Sequence, residues 1–269
     1  MVQRFSLGGR VAWLKRYDPD GWLRPALVTL WNGLVTRLDL QALRSPPRHA
    51  GEAAKAVEAR RLQTLSACGA PVPRILGEGP RSLILSDMGP TLAHRLKRLT
   101  SANDADVLVR QTARAIGELH RHGGYLGQAF ARNITVGDSG VGFIDFEEDP
   151  SEIMSLSQAQ ARDWVMFTTG VGPYFTGRMD VLTCLIHDEA VAMEPAVASE
   201  VRRIAQRLSF LERAGRLLGR KTAAIAGAIG AMRKGFALLA IGAFIVDLAS
   251  DGDCDMWLAM MDVVQRATT

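Results

Sequence analysis

Residues 119–150 read LHRHGGYLGQAFARNITVGDSGVGFIDFEEDP, and the fold turns on this stretch. Two short apolar runs, Ile134 to Val136 and Val141 to Ile144, flank the turn sequence Gly137-Asp138-Ser139-Gly140, which predicts a β-hairpin. Asn133 ends the loop before the hairpin, and Asp145 follows it twelve residues further on. An amide and a carboxylate on adjoining loop ends offer two oxygen ligands to Mg²⁺, which keeps several waters and needs few protein donors.

Upstream, VAWLKRY from Val11 to Tyr17 is a β-branched and aromatic run, so it predicts a strand that carries Lys15 off one face. Residues 26–43 place Leu27, Leu30, Trp31, Leu34 and Leu38 at three- and four-residue steps, the pattern of an amphipathic helix, and Ser45-Pro46-Pro47 stops it. A second helix from about Ala50 to Ala67 carries Glu58 and is closed by Gly69, Pro71 and Pro73. Arg74 to Leu76 and Ser82 to Ser86 then predict paired strands around Gly77-Glu78-Gly79-Pro80. The first ninety residues thus predict strand, helix, helix, strand, strand. Asp106 to Arg121 predicts a helix, and the chain from Ser157 onward reads as helices. A lysine held by a glutamate grips α- and β-phosphates, so Lys15, Glu58, Asn133 and Asp145 form a candidate phosphate-handling set.

The order of these residues resembles that of the protein-kinase-like superfamily, and in particular its bacterial lipopolysaccharide-core and Kdo kinase branch. VEARRLQTLSACGAPVPRIL from Val57 resembles the family's αC helix and following strand, and LILSDMGPTL at 83–92 resembles its hinge strand and exit. The 119–136 stretch resembles the catalytic loop. FIDFEEDP at 143–150 resembles the metal-binding Asp-Phe-Gly element in an Asp-Phe-Glu form, and Asp163 matches the aspartate that braces that loop. The resemblance covers about residues 5–170. It implies an α+β, two-lobed protein-kinase-like fold, with a small N-lobe at 1–89 holding the inserted helix at about 26–43, and a mainly helical C-lobe at 90–269. It further implies ATP and Mg²⁺ as cofactors, with Lys15, Glu58, Asp87 and Met88 on the nucleotide and Asn133 and Asp145 on the metal.

Two departures stand out. The family writes its loop HGD-x-x-x-x-N, and the aspartate position holds Gln128, which cannot accept a proton at neutral pH and is no general base. Gln128 can still orient an acceptor hydroxyl by hydrogen bonding. A missing base costs about 10²–10⁴-fold, roughly 3–5 kcal/mol, which leaves slow transfer physically admissible. Glu147, Glu148 and Asp149 are candidate substitutes, against a reading as a solvated acidic turn or extra metal ligands. The second departure is the glycine-rich loop: only Ser6 to Arg10, with Gly8 and Gly9, precede the lysine strand, too little for a full first hairpin, so a nucleotide would be less well covered unless another segment such as residues 18–44 folds over it.

The remaining composition narrows the classes. The 269 residues are 48% hydrophobic and 22% charged, which excludes wholesale disorder. The three cysteines, Cys68, Cys184 and Cys254, lack CxxC spacing and suit a reducing cytoplasm. Met1 to Val11 has no apolar signal core, and Thr222 to Ala249 is broken by Arg233, Lys234 and Asp247, so buried helices are expected there. The net charge is +4, but Arg202, Arg203, Arg207, Arg213, Arg216, Arg220 and Lys221 cluster, as for an anionic partner or for a solvated helix face. No base-reading motif points to nucleic acid. Trp22, Leu23 and Trp31 with Arg24 and Arg37 have the composition of an interfacial helix, or of one that packs on the small lobe.

His120 and His122 are expected to cap a helix end, His187 to lie at an exposed one, and Met256, Met260 and Met261 to be core. Two functions are carried forward. One is an ATP- and Mg²⁺-dependent phosphotransferase acting on a hydroxyl of a lipid or lipid-linked sugar, peripheral on the cytoplasmic membrane face through 22–43 and 202–221. The other is a pseudokinase, a nucleotide-binding or structural regulator of a partner protein.

Overall fold

The computed structural model describes residues 2–17, 24–137, 140–209 and 223–236. Strands β1 (Val2–Leu7) and β2 (Arg10–Arg16) pair antiparallel, with Val2 opposite Lys15 and Leu7 opposite Arg10. The expectation that no first hairpin fits is therefore corrected. Gly8 and Gly9, at φ 55° and 78°, make the two-residue turn by themselves, in the left-handed region that only glycine enters freely. β4 (Ser82–Ser86) pairs with β2, and β3 (Ile75–Gly79) pairs with β4, so the four-stranded antiparallel sheet runs β1-β2-β4-β3. β3 reaches Gly79, so the turn lies at Pro80-Arg81 rather than starting at Gly77.

Helix α2 (Gly51–Ala67) buries Ala54, Val57, Glu58, Arg61, Leu62 and Leu65, which recur at three- and four-residue steps. Two of these are charged, and both point inward. α3 (Leu92–Arg98), which the sequence reading omitted, starts on Thr91, whose hydroxyl accepts from His94 N–H. α4 (Ala102–Arg121) begins four residues earlier than expected, because Ser101 caps it through Asp104 N–H. Strands β5 (Ile134–Gly137) and β6 (Gly140–Phe143) form the expected ladder, although Asp138 and Ser139 of its turn lie outside the described residues.

α5 (Leu156–Val171) opens with a capping box of Ser155 and Gln158. It is followed by α6 (Met179–Ala192), α7 (Pro195–Arg207) and a helix α8 at 223–236. Trp164, Phe167, Ile116, Phe143, Phe146, Phe175 and Phe236 are fully buried and fill the core of this helical part. The chain is thus α+β: a small antiparallel sheet, a two-stranded ladder and helices.

The inserted segment differs from its expectation. It forms α1 (Arg24–Arg37) and a 3₁₀ turn at Gln41–Leu43, not one helix to residue 43. Val35, Leu40 and Ala42 are buried, whereas Leu30 is 71% and Trp31 45% exposed, so the expected apolar stripe faces solvent at those two positions. The side chains of Leu27 and Leu34, and all of Trp22 and Leu23, lie outside the described residues. Residues 39–44 of the segment are held by the C-terminal helices. Arg162 of α5 donates to the carbonyls of Ala42 and Arg44, and Arg203 of α7 donates to the carbonyl and carboxylate of Asp39.

That contact also changes the reading of the basic stretch. Arg203 is paired with Glu200 and Asp39, Arg207 lies 3.7 Å from Asp39, and burial pulls the Arg202 guanidinium below its ordinary value. Arg213, Arg216, Arg220 and Lys221 lie outside the described residues, as do Cys254, Met256, Met260, Met261 and residues 237–249. Among the described residues no helix is long and apolar enough to cross a membrane.

Candidate functional site

β2 alternates its side chains, so Trp13 and Lys15 share one face with Leu85 opposite Trp13 on β4. That face roofs a cleft of about 430 Å³. Lys15, Glu58, Asp87, Met88, Asn133 and Asp145, the residues named from sequence, all line it. Gln128 does not.

The lysine sits in a dense set of charges. Its Nζ is 2.8 Å from Glu58 Oε2, 2.7 Å from Asp145 Oδ1 and 2.9 Å from Glu147 Oε1. Burial works against the ammonium charge, but the three carboxylates outweigh it and hold Lys15 above the ordinary lysine value. Glu58 is 1% exposed. Burial pushes its carboxyl up, opposed by the Lys15 charge and by hydrogen bonds from Lys15 and Tyr17. Tyr17 donates its hydroxyl to Glu58 Oε2 at 2.7 Å, and burial and the Glu58 charge raise the phenol. One ammonium among three carboxylates leaves the cluster net negative, a balance that a cation changes.

Asn133 and Asp145 meet because the β5–β6 ladder brings its two ends together. Ile144 N–H donates to Asn133 O at 2.9 Å, one step beyond the Ile134–Phe143 pair. Asn133 donates Nδ2 to the Gln128 carbonyl at 3.1 Å, while its Oδ1 has no hydrogen-bond partner among the described residues. Asp145 stands at φ 71°, an uncommon conformation outside glycine, and its side chain is 42% exposed despite the bond to Lys15. A free amide oxygen and an accessible carboxylate fit a hard cation such as Mg²⁺. Among the described residues no cluster of three or more His, Cys, Asp or Glu side chains is arranged around a metal position.

The loop before Asn133 is fixed from beneath. Asp163, fully buried, accepts from Leu126 N–H at 2.6 Å, Gly127 N–H at 2.7 Å and His120 Nε2 at 3.1 Å. His120 is therefore a buried partner of Asp163 and not a helix cap; His122 takes the capping position. His187 is likewise no exposed terminus, since its Nδ1 meets the Gly235 carbonyl at 3.1 Å. Arg162 Nε donates to Gly127 O at 2.8 Å, and Arg61 donates to Tyr125 O at 2.7 Å while lying 3.9 Å over that tyrosine ring. Gly127, at φ 85°, passes so close to Pro150 that a Cβ there would meet its Cγ at 2.8 Å. Gln128 is half-buried, and only its backbone takes part in these bonds.

The acidic run after Asp145 is not a solvated turn. Glu147 lies between Lys15 and Arg48, Glu148 stands 4.0 Å from Arg162, and Asp149 accepts from Tyr125, Ser151 and Arg60. Burial raises the Asp149 carboxyl, but hydrogen bonds from Tyr125 and Ser151 and the Arg61 charge outweigh it and hold it below the ordinary value.

Asp87, named for the nucleotide, spends its carboxylate on Trp13 Nε1 at 2.6 Å and Gly89 N–H at 3.2 Å. Sequence reading missed Trp13, Tyr17 and Thr135, and it named Glu147 as a candidate base rather than as a partner of Lys15. Tyr17 and Trp13 were accessible to it, since both lie two residues from Lys15 on its own strand face. Thr135 Oγ1, buried without a partner on the cleft wall, left no signal. No family model matches the chain, and no curated protein matches it.

Proposed function

We propose that the chain is a two-lobed protein-kinase-like fold, of the lipopolysaccharide-core and Kdo kinase type. In this reading it binds ATP with Mg²⁺ and transfers the γ-phosphate to a hydroxyl of a lipid or lipid-linked sugar at the cytoplasmic membrane face. The observation that carries the reading is the meeting of Lys15 with Glu58 and Asp145 within 3.0 Å, beside Asn133 on the same cleft. Lys15 clamps the α- and β-phosphates and Glu58, fixed by Tyr17, holds Lys15 in place. Asn133 and Asp145 carry the metal ion, which neutralises charge on the transferring group. Gln128 orients the acceptor hydroxyl without taking its proton. Exposed Leu30 and Trp31 support contact with a lipid surface.

Incubation of the protein with labelled ATP and a membrane-lipid extract tests this. Labelled lipid that is lost in Asp145→Ala is expected; none from the wild type would rule transfer out.

A second reading, the pseudokinase, is favoured by Gln128 and by Glu147, which occupies Lys15 as a third carboxylate. It predicts no turnover by the wild type, with Gln128→Asp either inert or newly active, and substantial wild-type turnover would eliminate it. Binding at a hundred times Kd stabilises by about 2.7 kcal/mol, so a melting curve with and without Mg²⁺ separates binding from none.

A further inference from the structure

The wall of the cleft has two unlike parts. In one, Lys15 gathers Glu58, Asp145 and Glu147. The other is apolar and consists of Trp13 with Leu85, Met88 and Ile144. Trp13 stands two residues before Lys15 on the same face of β2, about 7 Å away at the rise of a strand. It is half-buried, with Leu85 opposite it on β4. The β5–β6 ladder and Ile144 beyond it supply the facing side. The Met88 side chain lies against that ladder, since a Cβ on Gly142 would stand 2.6 Å from Met88 Cε. The space beside Lys15 thus has an indole on one side and Met88 and Ile144 on the other, a setting that takes a planar ring out of water on both faces.

Asp87 decides how the indole can turn. Its Oδ1 accepts from Trp13 Nε1 at 2.6 Å, and its Oδ2 accepts from Gly89 N–H at 3.2 Å. The carboxylate is therefore fixed by the backbone two residues on, and it fixes the ring in turn. An indole carries a single N–H and no acceptor, so once that donor is engaged the ring offers a ligand only its face. A tryptophan side chain has two rotatable bonds, and tethering its edge removes in advance most of the freedom that binding would otherwise take away.

The face selects the ligand group. Phosphates are drawn to the Lys15 ammonium, whereas the π-face beside the Asp87 carboxylate attracts no anion. A nucleobase has a π-face of its own, and stacking on an aromatic side chain strengthens binding roughly tenfold or more per base.

We propose that Trp13 is the platform on which the base of a bound nucleotide stacks, and that Asp87 is a positioning residue that acts through the indole. The proposal rests on the nucleotide reading above. It divides the affinity for ATP into a base part set by Trp13 and a phosphate part set by Lys15.

Calorimetric titration of the full chain with ATP and with inorganic tripolyphosphate, both with Mg²⁺, reads the two parts separately. Trp13→Leu is expected to weaken ATP about tenfold and to leave tripolyphosphate unchanged, with Trp13→Phe in between. Asp87→Leu should weaken ATP several-fold, and Asp87→Asn, which keeps an acceptor oxygen, should restore it. In a Trp13→Phe background, which has no N–H to hold, Asp87→Leu should do nothing further. Retained tripolyphosphate binding shows that a variant is folded, and Trp13→Phe serves if the leucine variant is not. Undiminished ATP affinity in Trp13→Leu and Trp13→Phe, or an equal loss of ATP and tripolyphosphate, overturns the stacking and leaves the phosphate reading standing. A full Asp87→Leu effect in the Trp13→Phe background overturns the positioning role. No binding of either ligand by the wild type overturns both the proposal and the nucleotide reading.

Discussion

The Lys15 ammonium lies 2.7 Å from Asp145 Oδ1, a contact between residues 130 apart in the chain, and the same nitrogen holds Glu58. Strand β2, helix α2 and the end of the β5–β6 ladder are thereby tied at one atom. Replacing Lys15 by Met removes the tie and leaves Glu58 buried without its cation, at a cost of about 3–5 kcal/mol. Urea denaturation of Lys15→Met, Glu58→Gln and the double variant measures it. The double variant should recover a substantial part of the loss, and additive single effects would contradict the pairing.

Glu147 shares Lys15 with Asp145 and also reaches Arg48 at 3.4 Å. Its charge competes with a phosphate for the same ammonium. Glu147→Gln should tighten ATP binding in the absence of Mg²⁺ about three- to tenfold, on the order of 1 kcal/mol for a partly exposed pair. Calorimetric titration with ATP in chelator reads this, and unchanged or weaker affinity would count against phosphate binding at Lys15.

Asp163 holds the Leu126 and Gly127 amides from a fully buried position. In Asp163→Asn one of those N–H groups would face an amide donor in place of a carboxylate. Hydrogen bonds to a charged acceptor contribute about 1.5–3 kcal/mol, and a loss of that size is expected. Hydrogen exchange should quicken at Leu126 and Gly127 ahead of the α5 core; uniform exchange throughout would speak against a local brace.

Asp149 is held below its ordinary value, so its ionised form stabilises the fold at neutral pH. A depressed carboxyl contributes above its unfolded value and loses that contribution as the pH falls through the folded one. Stability should therefore drop as the pH is lowered past 3.8, the ordinary value for the group. Asp149→Asn should show a flatter acid limb in denaturation curves taken across that range, and an identical limb would contradict the assignment.

Much of the cleft could be read in the residues because its carriers break local patterns. Glu58 and Arg61 sit on the inward face of α2 among Ala54, Leu62 and Leu65, where a charge is costly without a partner. Asn133 and Asp145 flank a hairpin whose turn residues announce it. Strand β1 was missed because its side chains are largely exposed, which leaves VQRFSL without an alternating pattern; its pairing is dictated by Gly8-Gly9 and by β2. His120 was misread because Asp163, its partner, is 43 residues away. The docking of residues 39–44 rests on backbone carbonyls accepting from Arg162 and Arg203, and carbonyls leave no trace in a sequence.

Arg162 grips Ala42, Arg44 and Gly127 with one guanidinium that is itself buried among helices. Such a planar group cannot pivot toward one neighbour and keep its bond to another. A displacement of residues 42–44 would therefore also strain the loop bearing Gln128, since both hang on the same guanidinium.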